Sequence, residues 1–279
     1  AGSNMLAKSS APGRKTTSSP DSANWTVIIL YDLNNAEPVA FMHESQLSGI
    51  RVGATTGVAV DKVARQDVSE LGLFGTGRQA RANCEAICTA RPCIKRVKVY
   101  SPTRRNREAF PNEVPLPGVE IIPVKSPEEV LAGVDIVCSM TNSTTPTFDG
   151  NMLKPGQMVI SVANSDVTLK RHEVDETTFV RSSDIIINDW DSVVSNRQTE
   201  LLDLIESGDV QRERVVELGE LCTGKTTVKQ TEDNIVYYKN NTGLGMQFAA
   251  AGSVIYNKMK GEESNKIVPR EWLAAEDYP

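Results

Sequence analysis

The 279-residue sequence has no excess of positive charge and no long apolar run. Its net charge is −6 and its pI is near 5.2, whereas a protein that binds nucleic acid needs a basic face. No run approaches the roughly 20 apolar residues that span a bilayer, and the first residues do not resemble a secretory signal. We therefore expect no nucleic-acid partner, no membrane partner and a cytoplasmic location.

Histidine and cysteine are also scarce. The two histidines, His43 and His172, lie far apart in the sequence, and the five cysteines include no C-x-x-C pair. Structural zinc sites need clustered thiolates and imidazoles, and a Ser-His-Asp or Cys-His mechanism needs a positioned histidine. These counts predict no metal site and reduced structural thiols, and they disfavour triad catalysis.

The sequence does contain a regular alternation of strand-like and helix-like segments. Six β-rich runs follow one another: 69–74, 96–100, 119–124, 134–139, 158–162 and 184–188. Helical or loop crossovers separate them, and this pattern predicts an α/β fold with a parallel, doubly wound sheet. Before this region we predict a hairpin from 25–32 and 38–42 and a helix over 47–65. After it we predict helices over 198–206, 210–221 and 243–260.

A glycine-rich loop lies between the first of these runs and a helix-like segment. Gly75 would permit a tight turn, Gly77 would let the backbone approach a diphosphate, and Ala80 would let the helix lie close to the sheet. The loop is completed by Thr76, Arg78 and Gln79. In this context G-x-G-x-x-A predicts a Rossmann-type dinucleotide site, and an ordinary tight turn between strand and helix is the alternative.

The residues after the second run bear on the type of dinucleotide. An acidic residue there would bind the 2′-hydroxyl of the adenosine ribose, but this chain has Ser101, Thr103 and Arg104. Hydroxyl and guanidinium groups suit a 2′-phosphate, because arginine can bind it with two hydrogen bonds. The pattern predicts NADP(H) as the preferred cofactor, with NAD(H) possible. A solvated arginine loop is the alternative.

Several segments, taken in order from residue 13 to residue 260, resemble the ornithine cyclodeaminase/mu-crystallin family. The matching segments are Gly13-Arg14-Lys15, Thr26-Val27, Glu37-Pro38-Val39-Ala40, Arg51-Val52-Gly53-Ala54-Thr55, the loop 75–80, the stretch 141–150, Leu153-Lys154-Pro155-Gly156, Glu173-Val174-Asp175 and Gly243-Leu244-Gly245-Met246-Gln247. Thr141-Asn142-Ser143-Thr144-Thr145-Pro146 begins the most specific of them. The ordered combination is far more specific than the glycine loop alone.

The resemblance implies a homodimer with two domains and a small amino-acid or imino-acid substrate. We predict a Rossmann dinucleotide-binding domain over 67–206, and an α+β substrate-binding and dimerisation domain from 5–66 and 207–279. The family has a further N-terminal segment with another arginine that binds the carboxylate, and this sequence has little room for it. Either the protein is truncated, or the segment lies outside this sequence, or this branch of the family has lost it, and the last case would leave a more open substrate site.

The resemblance also implies roles for individual residues. Lys15 and Arg51 would hold the substrate carboxylate, and Lys15 also falls among the catalytic positions. Residues at positions where the family contacts the cofactor are Thr26, Thr141, Asn142, Val162 and Asn241. Without the resemblance, Arg51 would be interpreted as a surface cation and Lys15 as a loop lysine.

The acid–base residue is assigned by position as well. Asp166 follows the fifth strand, where the family places an aspartate, and a carboxylate there could exchange a proton with an amine or imine. The segment after it is about two residues longer than the family pattern, so a turn aspartate is the alternative. His172 is a second candidate acid.

Together these features predict an NADP-dependent oxidoreductase that reduces an imino acid or dehydrogenates an amino acid by hydride transfer. Two alternatives remain open at this point. One is an ornithine cyclodeaminase, a lyase that releases ammonia and uses bound NAD catalytically. The other is a non-catalytic, mu-crystallin-like protein that binds NADPH or a small molecule.

Overall fold

The protein is described here by a computed structural model, which covers residues 27–163, 171–241, 243–263, 265–269 and 272. Within these ranges the strands are β1 (Val27–Tyr31), β2 (Pro38–His43), β3 (Glu70–Phe74), β4 (Arg96–Tyr100), β5 (Glu120–Pro123), β6 (Ile136–Ser139), β7 (Met158–Ser161), β8 (Asp184–Ile187), β9 (Val215–Glu217) and β10 (Val236–Lys239). The helices are α1 (Glu44–Val63), α2 (Arg78–Ala90), α3 (Arg104–Glu113), α4 (Pro127–Leu131), α5 (Glu176–Arg181), α6 (Trp190–Ser195), α7 (Thr199–Ser207), α8 (Leu218–Thr223) and α9 (Gly245–Met259).

Strands β3 to β10 form one sheet in the order β5-β4-β3-β6-β7-β10-β8-β9. All of its pairings are parallel. The strand order reverses beside β3, since β4 and β5 extend on one side of it and β6 and β7 on the other. In such sheets ligands bind at this reversal, in the crevice at the carboxyl ends of the strands. This sheet confirms the predicted Rossmann-type α/β fold.

The central strands are apolar on both faces, as expected for a parallel sheet covered by helices. Alternate residues of a strand enter different hydrophobic clusters. Tyr238 packs in one cluster with Leu71 and Ile136, and Tyr237 packs in the other with Val159 and Phe179. Both tyrosines are completely buried, so β10 is a core strand.

The structure confirms all six predicted strand runs of the sheet, and it confirms the hairpin where residues are described. The sheet also contains two strands that the sequence analysis missed, β9 and β10. The predicted helix over 210–221 is wrong in its first half, because Arg212–Arg214 is a short 3-10 turn and Val215–Glu217 is a strand, so that the α-helix covers only Leu218–Thr223. These three strand residues pair with β8, and this long-range pairing overrides the local helical preference.

The hairpin of β1 and β2 packs outside the large sheet. Ile28 and Leu30 form a small apolar cluster with Leu47 of α1 and Phe248 of α9. The division into two domains remains a prediction, and the large sheet takes β9 and β10 from beyond residue 206. None of the helices in the described ranges is long and apolar enough to cross a membrane.

Helices α1 and α2 approach each other unusually closely. A Cβ atom on Gly53 would lie 2.5 Å from the carbonyl oxygen of Ala82, and one on Gly57 would lie 3.3 Å from that of Ala86. The glycines that weaken the helical pattern of α1 therefore have a packing function. They allow the backbone of α1 to contact the backbone of α2.

We expect Gly53→Ala to lower the free energy of unfolding by about 2 kcal/mol, because the added methyl group overpacks the contact. This loss should appear although alanine favours a helix by about 1 kcal/mol over glycine. Gly219→Ala in α8 is the control, since a Cβ there meets no atom within 4 Å, and it should not destabilise the protein. Urea denaturation of both variants checks this, and equal stabilities would contradict it.

Candidate active site

The glycine loop begins directly after β3 and lies against the end of β6. Gly75 has a φ of +104°, and a Cβ atom on it would lie 2.4 Å from the carbonyl oxygen of Met140. Its N–H donates to the carbonyl oxygen of Tyr100 at the end of β4, at 2.8 Å. Only glycine fits this position, because the left-handed conformation and the close contact both exclude a side chain.

The N-terminus of α2 opens onto free space. Gly77 precedes the helix, no side chain caps it by a hydrogen bond, and its first turn contains no acidic residue. A Cβ atom on Gly77 would meet nothing within 4 Å. Among the described residues, the buried amide oxygen of Gln79 has no hydrogen-bond partner. Free backbone N–H groups and the positive end of a helix suit a diphosphate, so this loop fits a dinucleotide.

The segment after β4 carries the residues predicted to select the cofactor. Ser101 is buried, and its carbonyl oxygen accepts a hydrogen bond from Arg107 at 2.9 Å. Thr103 precedes α3 without capping it through its side chain. The side chain of Arg104 is 79% exposed and its Nε lies 2.6 Å from Glu108 Oε1. The guanidinium group is thus accessible at the carboxyl end of β4.

The carboxyl ends of β6 and β7 are joined by one buried carboxylate, that of Glu173. It accepts hydrogen bonds from the N–H groups of Thr141, Val162 (2.9 Å) and Ala163 (2.7 Å). Burial raises the pKa of the Glu173 carboxyl, while these backbone donors oppose the shift. Asn142, also predicted to contact the cofactor, is exposed beside Thr141.

Arg51 lies on α1 and is only 8% exposed. Its Nη1 donates to the side-chain oxygen of Gln247 at 2.9 Å, and its guanidinium carbon lies 4.4 Å from the centre of the Phe248 ring. Among the described residues, its buried Nε has no hydrogen-bond partner. Burial lowers the pKa of Arg51, and the carboxylate of Glu44 opposes this shift.

The surroundings of Arg51 favour an anion. Gln247 and Phe248 belong to the first turn of α9, and the N-terminus of a helix carries partial positive charge. The carboxylate of Glu44 acts on the buried guanidinium, but the helix N-terminus beside it adds further positive charge. A carboxylate placed between them would satisfy both, and arginine binds carboxylates with two parallel hydrogen bonds.

Asn241 is completely buried, and its side chain bonds to the protein itself. Its Oδ1 accepts the N–H of Asn188 at 2.7 Å, and its Nδ2 donates to the carbonyl oxygen of Asp189 at 3.3 Å. Gln198 Nε2 donates to the Asn241 carbonyl oxygen at 2.9 Å. These bonds hold the ends of β8 and β10 together. The cofactor contact implied for Asn241 remains a prediction.

Three of the predicted site residues, Lys15, Thr26 and Asp166, lie outside the described residues. His172 is half-buried, and its N–H donates to the carbonyl oxygen of Ser143 at 3.1 Å. The described residues contain no group of three or more side chains that could hold a metal ion.

Two residues at this edge of the sheet were not assigned a role from the sequence. Glu173 lies in a segment that carries the family resemblance, and this was the available signal. Lys239 ends β10 and gave no signal, although its ammonium group is buried beside the carbonyl oxygen of Ala163 at 3.0 Å.

The fold and the glycine loop define a Rossmann-type dinucleotide-binding protein. The family model described as the ornithine cyclodeaminase/mu-crystallin family matches residues 7–263, and the chain belongs to this family. The resemblance inferred from the sequence is therefore confirmed.

Known relatives agree with this assignment. A Delta(1)-pyrroline-2-carboxylate reductase of Bacillus cereus is 26% identical over 244 residues, which cover 86% of this chain and 73% of the relative. The structure of the enzyme of that name from Thermococcus litoralis, in complex with NADH and L-proline, superposes with a TM-score of 0.75 at 26% identity, covering 84% of this chain and 71% of the other. An archaeal alanine dehydrogenase dimer with bound NAD has the same fold, with a TM-score of 0.76 at 22% identity and coverages of 90% and 77%. The two reductases confirm the predicted class, an NAD(P)-dependent enzyme of imino or amino acids.

Proposed function

We propose that this protein reduces a small imino acid to an amino acid. The observation that carries the proposal is the position of Arg51. This buried cation lies on α1, and α1 packs directly on α2, whose N-terminus follows the glycine loop. A carboxylate held by Arg51 and a diphosphate held at α2 are thereby fixed relative to each other. A bound nicotinamide nucleotide supplies the hydride for such a reaction.

The cofactor site consists of the glycine loop and the strand ends beside it. The backbone from Gly75 to Ala80 holds the diphosphate, and Thr141, Asn142 and Val162 line the side of β6 and β7. Support comes from the space in front of Gly77 and from the tight contact of Gly75 with Met140. We also assign Thr26 and Asn241 to the cofactor site, because they lie at positions where the family contacts the cofactor.

The substrate is bound through its carboxylate, by Arg51 together with Lys15. The imine carbon gains a hydride and the imine nitrogen gains a proton, so the product is an amino acid and the cofactor leaves oxidised. We assign the proton to Asp166, with His172 as the second candidate. Holding the substrate in one orientation contributes to the rate by itself, because it replaces a bimolecular encounter.

The relatives indicate which substrate to test first. The Bacillus cereus relative is named for its action on Delta(1)-pyrroline-2-carboxylate, and the Thermococcus litoralis structure holds L-proline. Both compounds carry a carboxylate next to the reacting carbon–nitrogen bond. We extend this chemistry, an imine beside a carboxylate, to the present protein.

We expect NADH or NADPH to be oxidised on addition of Delta(1)-pyrroline-2-carboxylate or a related imino acid, as followed by absorbance. Arg51→Ala should raise the substrate KM by at least about tenfold, because a charge-assisted hydrogen bond is lost. Arg81→Ala is the matched control, since Arg81 pairs with Glu113 on the protein surface. An unchanged KM for Arg51→Ala would remove Arg51 from carboxylate binding.

Two other outcomes of the same assay would overturn the proposal. Release of ammonia from ornithine without net oxidation of the cofactor would indicate an ornithine cyclodeaminase. Binding of NADPH without turnover across a panel of imines and keto acids would indicate a non-catalytic binding protein.

We further propose that NADP(H) is preferred over NAD(H), with Ser101, Thr103 and Arg104 around the 2′-phosphate. The relatives are described with NADH or NAD, so this preference rests on the residues of this chain. Arg104→Ala should weaken NADPH binding by about tenfold and leave NADH binding unchanged, because only NADPH carries the phosphate. Fluorescence titration of both nucleotides checks this, and a tenfold preference of the wild-type protein for NADH would show it to be wrong.

The hairpin supports a homodimer. Val27, Ile29 and Tyr31 of β1 are 40–54% exposed and alternate with the buried residues of that strand, and Phe41, which pairs with Ile29, is 46% exposed. Such a contiguous apolar face marks an interface, and twofold symmetry would pair it with itself. We assign it to the substrate-binding and dimerisation domain formed by 5–66 and 207–279.

We expect Phe41→Asp to shift the protein from dimer to monomer, because it would place a charge in the interface. Leu33→Asp is the control, since Leu33 lies in the hairpin turn and is 97% exposed. Light scattering after gel filtration measures both masses. A dimer that withstands Phe41→Asp, or a wild-type monomer, would contradict this interface.

A further inference from the structure

We propose that Glu173 and Lys239 are positioning residues for the nicotinamide half of the cofactor. They act by fixing the backbone at the carboxyl ends of β6 and β7. This inference rests on the proposed cofactor site and adds two residues to it that do not touch the nucleotide themselves.

The place of the nicotinamide half follows from the sheet order. The diphosphate lies at the N-terminus of α2, after β3, and in Rossmann folds the adenosine ribose lies at the end of the next strand on one side. That strand is β4 here. The other half of the dinucleotide must therefore extend the opposite way, over the ends of β6 and β7. At these strand ends the nicotinamide half lies against the backbone of Thr141 and Val162.

Glu173 holds both of these strand ends with a single carboxylate. Its Oε1 accepts the N–H of Thr141, which follows β6, and its Oε2 accepts those of Val162 and Ala163, which follow β7. The residue is 2% exposed. Without the carboxylate, three N–H groups would lose their acceptor, that of buried Ala163 and those of partly buried Thr141 and Val162, and such a loss is costly where the group is shielded from water.

Lys239 holds the same residue, Ala163, through its carbonyl oxygen. Its Nζ donates to the carbonyl oxygen of Ala163 at 3.0 Å and pairs with Glu200 Oε1 at 2.5 Å. The side chains of Lys239 and Glu200 are 2% and 7% exposed. Both backbone polar groups of Ala163 are thus bound by charged side chains, and charge-assisted hydrogen bonds are stronger than neutral ones.

The location of these charges argues for positioning rather than for stability alone. Burying a charge is expensive, and well-packed apolar residues often stabilise a protein as much as a buried ion pair does. Here the buried charges are aimed at the loop backbone on the ligand side of the sheet. Fixing that backbone prepares the surface against which the nicotinamide lies.

The test compares two ligands that share the diphosphate and the adenosine. NADH carries a nicotinamide and ADP-ribose does not. In Glu173→Gln an NH2 group faces backbone N–H donors, so we expect NADH to bind at least about tenfold more weakly, while ADP-ribose stays within about threefold. Isothermal titration calorimetry on the full chain gives both dissociation constants. General damage to the fold would weaken both ligands alike.

Glu70→Gln is the matched control. Glu70 is another buried carboxylate, 9% exposed and paired with Lys98, but it begins β3 at the opposite, amino-terminal edge of the sheet. Glu70→Gln should leave the ratio of the dissociation constants for NADH and ADP-ribose unchanged, even if it lowers the melting temperature of the protein. The double variant Lys239→Met/Glu200→Gln removes the ion pair without leaving a buried charge, and it should reproduce the selective loss of NADH.

The outcomes separate this inference from the proposed function. If the wild-type protein binds neither ligand, the cofactor site itself is wrong. If it binds both, and Glu173→Gln weakens both equally or neither, only the positioning role is overturned. An equal, selective loss of NADH binding in Glu70→Gln would also overturn the positioning role. If Glu173→Gln does not fold, the double variant tests the positioning role through the same ratio of dissociation constants for NADH and ADP-ribose.

Discussion

The close contact between α1 and α2 is the constraint on which the proposed site depends. Arg51 is two residues before Gly53, where a Cβ atom would lie 2.5 Å from the backbone of α2. The distance between the helices is therefore set by backbone atoms, which cannot change rotamer as side chains do. The helix that carries the proposed substrate anchor, Arg51, is in this way held in register with the helix that follows the glycine loop.

The ends of the strands are held by a different kind of interaction from the strands themselves. The sheet interior is apolar, whereas its carboxyl edge is joined by buried polar groups, among them Glu173, Lys239 and Asn241. Each of them bonds to backbone of another element. An apolar core tolerates repacking, but a hydrogen bond to a particular N–H group specifies one geometry. The polar groups thus fix one geometry of the backbone at the carboxyl ends of the strands.

Short sequence patterns predicted those parts of the fold that depend on residues close together in the chain. The loop from Gly75 to Ala80 and six strands were identified because each is continuous in the sequence. Strand β10 is as short as four of the strands that were predicted, and it was missed because its burial comes from β7 and β8, which are distant in the chain. The backbone hydrogen bonds of Glu173 were missed for a similar reason, since they reach 10 to 32 residues away. Arg51 could be separated from a surface cation only through the family resemblance.

The insertion of β10 between β7 and β8 has a consequence for biosynthesis. A ribosome delivers β7 and β8 well before Val236–Lys239, yet those two strands have no pairing with each other in the finished sheet. Their facing edges stay unpaired until Val236–Lys239 has been synthesised, and unpaired edges can pair with other chains. The nascent protein is therefore prone to aggregation until β10 is synthesised and inserts between β7 and β8.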